Sequence, residues 1–376
     1  MSLKEIFCQD KAISILQRAF AADKMPHAYI FSGPEGVGRF KTAREWAKLL
    51  LCKNPVIEKT KENDFADSCG SCQSCELFEA GSHPDFNNVY KELREFTRDG
   101  KGKPPPVDLP IDVVREFLIE KVSTRPTLSE RKVFIVSEAE RLNASSQNAL
   151  LKSLEEPPEY CCIILLCTRL EKLFATIKSR CQIIRFLRLP EEKIIDKLKE
   201  MGIDAKKAKY FARLAEGSLG QGCRWAELEL ADANLYKIKR ELINSLATYK
   251  YAEALELAEQ FLDESKRIAA IWTKFETSTS KSDINRRAAK TFIQIIISAL
   301  YDAMKLNVAS EASLINFDQK EQIKKLAEHF GAEGSAGKIA DCYRMVRWID
   351  SAVNERLIFE QLLLNLAASD KIKALK

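Results

Sequence analysis

The chain has 376 residues, with 59 Lys plus Arg against 54 Asp plus Glu, a formal charge of +5 and 46% hydrophobic residues. That length and apolar content suffice for two or three globular domains, and so balanced a charge argues against nucleic-acid binding by the chain's overall field. The N-terminus, MSLKEIFCQDKAISILQRAF, is charged and amphipathic rather than signal-like, and no stretch has the length of an apolar membrane span. A cytoplasmic protein is expected, and its 11 cysteines then call for a role other than disulfides.

Ile6, Ala12, Ile13, Leu16 and Phe20 set a helical period at the start of the chain. Residues 28–31, AYIF, read as a short strand entering a glycine-rich loop, with a helix predicted through Leu51. Residues 52–85 read as a cysteine-rich loop, and RDGKGKPPPVDLP at 98–110 as a solvated connection. A helix is predicted over 111–121, a buried strand over 133–136, and a helix from near Asn143 that stops before Pro157 and Pro158. CCIILLCT at 161–168 and IIRF at 183–186 read as two more strands. Continuous apolar strands alternating with helices predict an α/β layer built on a parallel sheet. Beyond Leu189 the pattern is helical: short helices with a turn at EGSLGQG, then long amphipathic helices broken at TSTSKSD near 278 and GAEGSAGK near 334. The last is read as one helix, YRMVRWIDSAVNERLIFEQLLLNLA, with Val346, Ile349, Val353 and Leu357 on its apolar stripe. The expected division is 1–188 (α/β), 189–232 (small helical) and 233–376 (large helical), with no internal repeat.

HAYIFSGPEGVGRFKT carries the frame of a phosphate-binding loop, G-x-x-x-x-G-K-[ST]. Gly33, Gly36 and Gly38 are in place, but Arg39 stands where Lys belongs and Phe40 where Ser or Thr belongs. A guanidinium fork does not replace a compact ammonium in a tight cradle, and Phe40 has no oxygen for Mg²⁺. Thr42 has a hydroxyl, two residues too late. In VFIVSEAE, Ser137 takes the place of the metal-linked Asp that ends such a strand, followed by Glu138. These substitutions together argue against hydrolysis, and ATP binding is expected to be weak or absent.

Cys52, Cys69, Cys72 and Cys75 form C-x16-C-x2-C-x2-C. Four thiolates satisfy a closed, structural Zn²⁺ site, and the two-residue spacing lets one turn deliver successive sulfurs. An iron–sulfur cluster or unrelated free thiols are the alternatives. His83, in GSHPDF, is expected to bond structurally rather than to ligate. Cys161, Cys162, Cys167 and Cys181 lie on or beside apolar strands and read as core.

The order HAYIFSGPEGVGR, the cysteine cluster with CELFEAGSHPDF, NALLKSLEEPP and IKSRCQIIRF resembles bacterial clamp-loader subunits of the AAA+ family, in particular the delta-prime type of DNA polymerase III, a relative of the gamma/tau ATPase. The likeness runs over almost the whole chain, and VNERLIFEQLLLNL resembles the end of the family's collar domain. It implies an AAA+ P-loop domain with a zinc module at 52–75, a helical lid and an all-α collar. It also implies a non-hydrolysing subunit that joins gamma/tau and delta-like subunits to load the sliding clamp on primed DNA. Ser179-Arg180-Cys181 matches the motif whose Arg reaches a neighbour's ATP, so the resemblance implies that Arg180 is an arginine finger acting in trans, the alternative being a pair with a carboxylate of its own subunit. Three features depart from the family's pattern. Leu219 and Gly220 follow Gly-Ser where a second sensor Arg is usual, Arg169 stands where Asn is common, and the gap from Cys52 to Cys69 is longer than usual. The rival readings are a working gamma/tau-like ATPase, with Thr42 or water on the metal, and a zinc-containing DNA-binding module using AKKAKY and INRRAAK.

Overall fold

The computed structural model describes residues 2–59, 64–101, 106–248, 250–276, 279–308, 313–351 and 353–367. Residues 102–105 of the breaker-rich connection and 277–278 of TSTSKSD lie outside the described residues. The chain forms two compact units, Met1–Leu189 and Pro190–Lys376.

The first unit runs α1 (Asp10–Ala21), β1 (Ala28–Ser32), α2 (Arg39–Leu51), β2 (Val56–Lys59), β3 (Asp64–Asp67), α3 (Gln73–Glu79) and β4 (Phe86–Val89). It continues with α4 (Ile111–Val114), a wide π-type turn (Arg115–Ile119), α5 (Glu120–Val122), β5 (Lys132–Val136), α6 (Ala144–Glu155), β6 (Cys161–Cys167), α7 (Ala175–Lys178) and β7 (Gln182–Arg185). Five strands form a parallel sheet in the order β4-β5-β6-β1-β7, with Ile30 of β1 opposite Leu165 of β6 and Ile183 of β7. β5 and β6 are buried along their whole length, which is why, after Lys132, their sequences are apolar without alternation. Asn143 caps α6, its side-chain oxygen accepting the Ser146 N–H at 2.8 Å.

Residues 52–85 are not one loop. β2 and β3 pair as an antiparallel hairpin, Val56 opposite Asp67, and α3 follows. The hairpin takes up the long gap between Cys52 and Cys69. β4, FNNV, also escaped the sequence reading. It is an edge strand with two Asn and one fully buried residue, Val89, so it lacks the apolar run that marks β5 and β6.

The second unit is helical throughout its described residues: α8 (Glu191–Glu200), α9 (Ala205–Leu214), α10 (Leu219–Leu230), α11 (Leu235–Leu246), α12 (Ala254–Trp272), α13 (Lys281–Val308), α14 (Lys320–Asp350) and α15 (Glu355–Ala367). Phe261, Phe292 and Phe359 meet with ring centroids 5.8 to 6.5 Å apart and join α12, α13 and α15. Lys239 and Asp318 form a fully buried ion pair at 2.5 Å, the Tyr236 hydroxyl donating to the same carboxylate at 2.7 Å. α14 kinks at Gly331, which has φ 63° and ψ −176°. The final helix expected from 343 to 367 is instead two, because α14 stops at Asp350 and α15 begins at Glu355. The apolar stripe changes phase there: Met345 and Ile349 are buried, Val353 and Leu357 are 39% and 59% exposed, and Ile358, Phe359, Leu362 and Leu363 carry the burial onward.

Candidate functional site

The glycine loop sits between β1 and α2, at the strand end where α/β folds hold ligands. Gly33 is required by close approach: a Cβ there would lie 2.5 Å from the Phe186 carbonyl oxygen. Gly36 and Gly38 turn the chain with φ of 74° and 102°, and Gly38 is the N-cap of α2. Gln9 stitches the loop down, donating to the carbonyls of Val37 at 3.2 Å and Leu187 at 2.9 Å and accepting the Leu187 N–H. The strand–loop–helix frame expected from the sequence is present.

Arg39 and Thr42 each make a hydrogen bond within the loop itself. Arg39 folds back so that its Nε–H donates to the Pro34 carbonyl of its own loop at 3.2 Å. Burial lowers its pKa, with the Glu140 carboxylate the main opposing charge. Phe40 is 45% exposed. Thr42 is buried, and its hydroxyl donates to the Gly38 carbonyl at 2.9 Å, so it is not turned toward a metal. At the end of β5, the Ser137 N–H donates to the Val89 carbonyl at 2.9 Å. Glu138, with φ 50°, is paired with Arg141 at 2.9 Å and Lys91 at 3.7 Å.

Arg180 lies just beyond α7 with its side chain 35% exposed. One terminal nitrogen pairs with Glu155, the last residue of α6, at 2.8 Å, and the other donates to the Thr176 carbonyl at 2.9 Å. The alternative expected for Arg180, a carboxylate of its own subunit, is thus present, and only its identity as Glu155, distant in sequence, was not legible from the motif. Arg169 is exposed at the end of β6, where Thr168 donates to the Glu140 carboxylate. In the second unit, Leu219 and Gly220 open α10 behind the Ser218 cap.

The four cysteines converge. The sulfurs of Cys52, Cys69, Cys72 and Cys75 all lie within 4.8 Å of one another, Cys52 being 3.5 Å from Cys69 and 3.9 Å from Cys72. Sulfurs about 2.3 Å from a tetrahedral zinc stand about 3.8 Å apart, so the donor set fits that ion. Cys52 caps the end of α2, Gly70 turns the knuckle with φ 75°, and Cys75 sits in α3. Burial disfavours the Cys69 thiolate, yet the backbone N–H groups of Ser71 and Cys72 and the neighbouring sulfurs outweigh it and bring its pKa down to about 6. Bound zinc would tie α2 to α3 across the hairpin. His83 stays out of the cluster, bonding instead to Ser74 and to the Asp85 backbone. Cys161, Cys162 and Cys167 are buried core residues.

Two family profiles match this chain in order: "DNA polymerase III, delta subunit" over residues 8–190 and "DNA polymerase III, delta subunit, C terminal" over 280–368. The chain belongs to the DNA polymerase III delta-subunit family. Subunit delta' of DNA polymerase III from Bacillus subtilis (strain 168) is 24% identical over 95% of this chain and 96% of its own length. The delta' subunit of Pseudomonas aeruginosa is 38% identical over 41% of each chain. Subunit tau of B. subtilis is 31% identical over 57% of this chain and 33% of that protein. The chain thus spans well under half the length of two of these three relatives. Within the family, the motifs that carried the likeness lie in the first unit, on the loop, the cysteine cluster, α6 and the Arg180 turn.

Proposed function

We propose that this chain is a non-hydrolysing clamp-loader subunit of the delta-prime type. It assembles with gamma/tau-like and delta-like subunits in the bacterial cytoplasm and presents Arg180 to a neighbour's ATP. Clamp opening on primed DNA belongs to the assembled complex. Residues 189–232 act as a lid and 233–376 as the collar through which the subunit joins the ring. The cysteine cluster holds a structural Zn²⁺ through Cys52, Cys69, Cys72 and Cys75, which organises the module between α2 and β4. The zinc site is closed by four sulfurs and takes no part in phosphoryl transfer.

The observation that carries this reading is the loop's own bonding. Gly33, Gly36 and Gly38 keep the cradle's shape, while Arg39 is turned onto the Pro34 carbonyl and the Thr42 hydroxyl onto the Gly38 carbonyl. A fold retained without its phosphate and metal ligands suits a subunit whose part is assembly. The working-ATPase reading needs Arg39 to leave the Pro34 carbonyl and serve as the Lys, and either water or a Thr42 hydroxyl freed from the Gly38 carbonyl to hold the metal. The DNA-module reading needs free basic clusters. Lys207 instead pairs with Glu229 at 2.8 Å, Arg287 with Glu276 and Lys290 with Asp350, both at 2.5 Å.

A second reading of Arg180 is favoured by its 2.8 Å pair with Glu155, in which it tethers α6 to α7. The test is ATP turnover by the reconstituted complex carrying Arg180→Ala. The finger role predicts intact assembly with a large loss of turnover. Unchanged turnover, with a lowered melting temperature, favours the tether.

A further inference from the structure

Next to the cysteine cluster lies a buried polar relay that neither the sheet nor the loop chemistry uses. The carbonyl of Leu51, the last residue of α2, accepts two hydroxyls, Ser74 Oγ–H at 2.6 Å and Ser129 Oγ–H at 2.9 Å. His83 Nε2 lies 2.8 Å from Ser74 Oγ and 3.3 Å from Ser129 Oγ, and its Nδ1 accepts the Asp85 backbone N–H at 3.1 Å. That last bond fixes the neutral tautomer with the proton on Nε2, so His83 donates to the hydroxyls and they donate to Leu51. The Asp85 carboxylate accepts the N–H groups of Thr127 at 2.6 Å and of Leu128 and Ser129 at 2.8 Å, in the turn that leads to β5. Ser74, His83 and Asp85 are all buried. Burial works against the Asp85 carboxylate, but those N–H groups overcome it and hold its pKa below the ordinary range.

The two ends of the relay are sequence neighbours of two ligands: Leu51 precedes Cys52, and Ser74 precedes Cys75. The Ser74 hydroxyl holds the end of α2 against the start of α3, the Ser129 hydroxyl holds it against the turn before β5, and the Asp85 carboxylate fixes that turn. A four-sulfur site assembled from two distant segments loses affinity when either segment is free to move, because binding must then order it. We infer that His83, with Ser74 and Ser129, is a positioning device that places Cys52 and Cys75 for metal before the metal arrives. The inference rests on the reading of the four cysteines as a zinc site.

The test is competitive titration of Zn²⁺ into the metal-free full chain, against a chromophoric chelator. The wild-type chain is expected to hold one ion. His83→Ala and Ser74→Ala are each expected to weaken zinc binding roughly 10- to 100-fold, and Ser74→Ala serves if His83→Ala does not fold. The double variant is expected to be little worse than either single one, since His83 acts on the Leu51 carbonyl through the Ser74 hydroxyl. Zinc affinity unchanged in both variants, even with a lowered melting temperature, would make the relay merely structural and overturn the inference. Fully additive losses would also overturn it. A wild-type chain that takes up no zinc would remove the metal reading itself, an outcome seen without any variant.

Discussion

Arg180 has three partners within its own chain, Glu155, the Thr176 carbonyl and, at 3.5 Å, the Ser179 hydroxyl, and a guanidinium has five N–H donors, so donors remain for a phosphate. If Arg180 acts in trans, Arg180→Ala should lower turnover at the neighbouring ATP site by roughly 10³-fold. Glu155→Gln should change the melting temperature little, because half-exposed ion pairs contribute about 0–1 kcal/mol. Thermal melts of both variants beside turnover assays check this, and a large stability loss from Glu155→Gln would contradict it. The SRC motif was legible as a stretch of sequence, and so were the glycines. The bonding of the side chains was not. Arg39 meeting Pro34 and Thr42 meeting Gly38 depend on how a tight loop closes on itself, and Arg180 meeting Glu155 depends on α6 and α7 lying side by side.

At the scale of elements, the buried strands were legible because both faces of β5 and β6 are covered, so 133–136 and 161–167 run without a charged or hydroxyl residue. β4 and the β2–β3 hairpin were not, since strands this short at a sheet edge or in a small module carry no long apolar run. The division of the last helix was hidden by a pattern that stays apolar while its phase slips near Val353. The Gly331 kink adopts a backbone conformation essentially closed to other residues. Nothing lies within 4 Å of a Cβ built there, so Gly331→Ala tests the backbone alone. It should destabilise the chain by about 1–3 kcal/mol, and chemical denaturation with an unshifted midpoint would contradict that. The Lys239–Asp318 pair makes a sharper case, because removing one partner leaves a buried charge. Lys239→Met should cost about 3–5 kcal/mol, and adding Asp318→Leu should recover most of it. A double variant as unstable as the single one in the same denaturation series would argue against that account.

At the scale of the molecule, two units carry separate kinds of order. The first depends on a sheet with a cysteine module attached, and the second on helix packing around aromatic and buried ionic contacts. If the cysteine cluster holds zinc as proposed, a chelator should open the module between Cys52 and His83 to proteolysis while leaving the helical unit folded. Limited proteolysis with fragment mapping reads this directly, and cleavage spread evenly over both units would speak against it. Family membership places the chain among DNA polymerase III subunits. The division of labour within such a complex turns on whether this loop works. The decisive measurement is ATP binding and hydrolysis by the purified chain alone, with Arg39→Ala alongside. No turnover, with weak or absent binding, is the predicted result. Turnover that Arg39→Ala abolishes would mean that the cradle still does chemistry and that the chain is an active motor subunit.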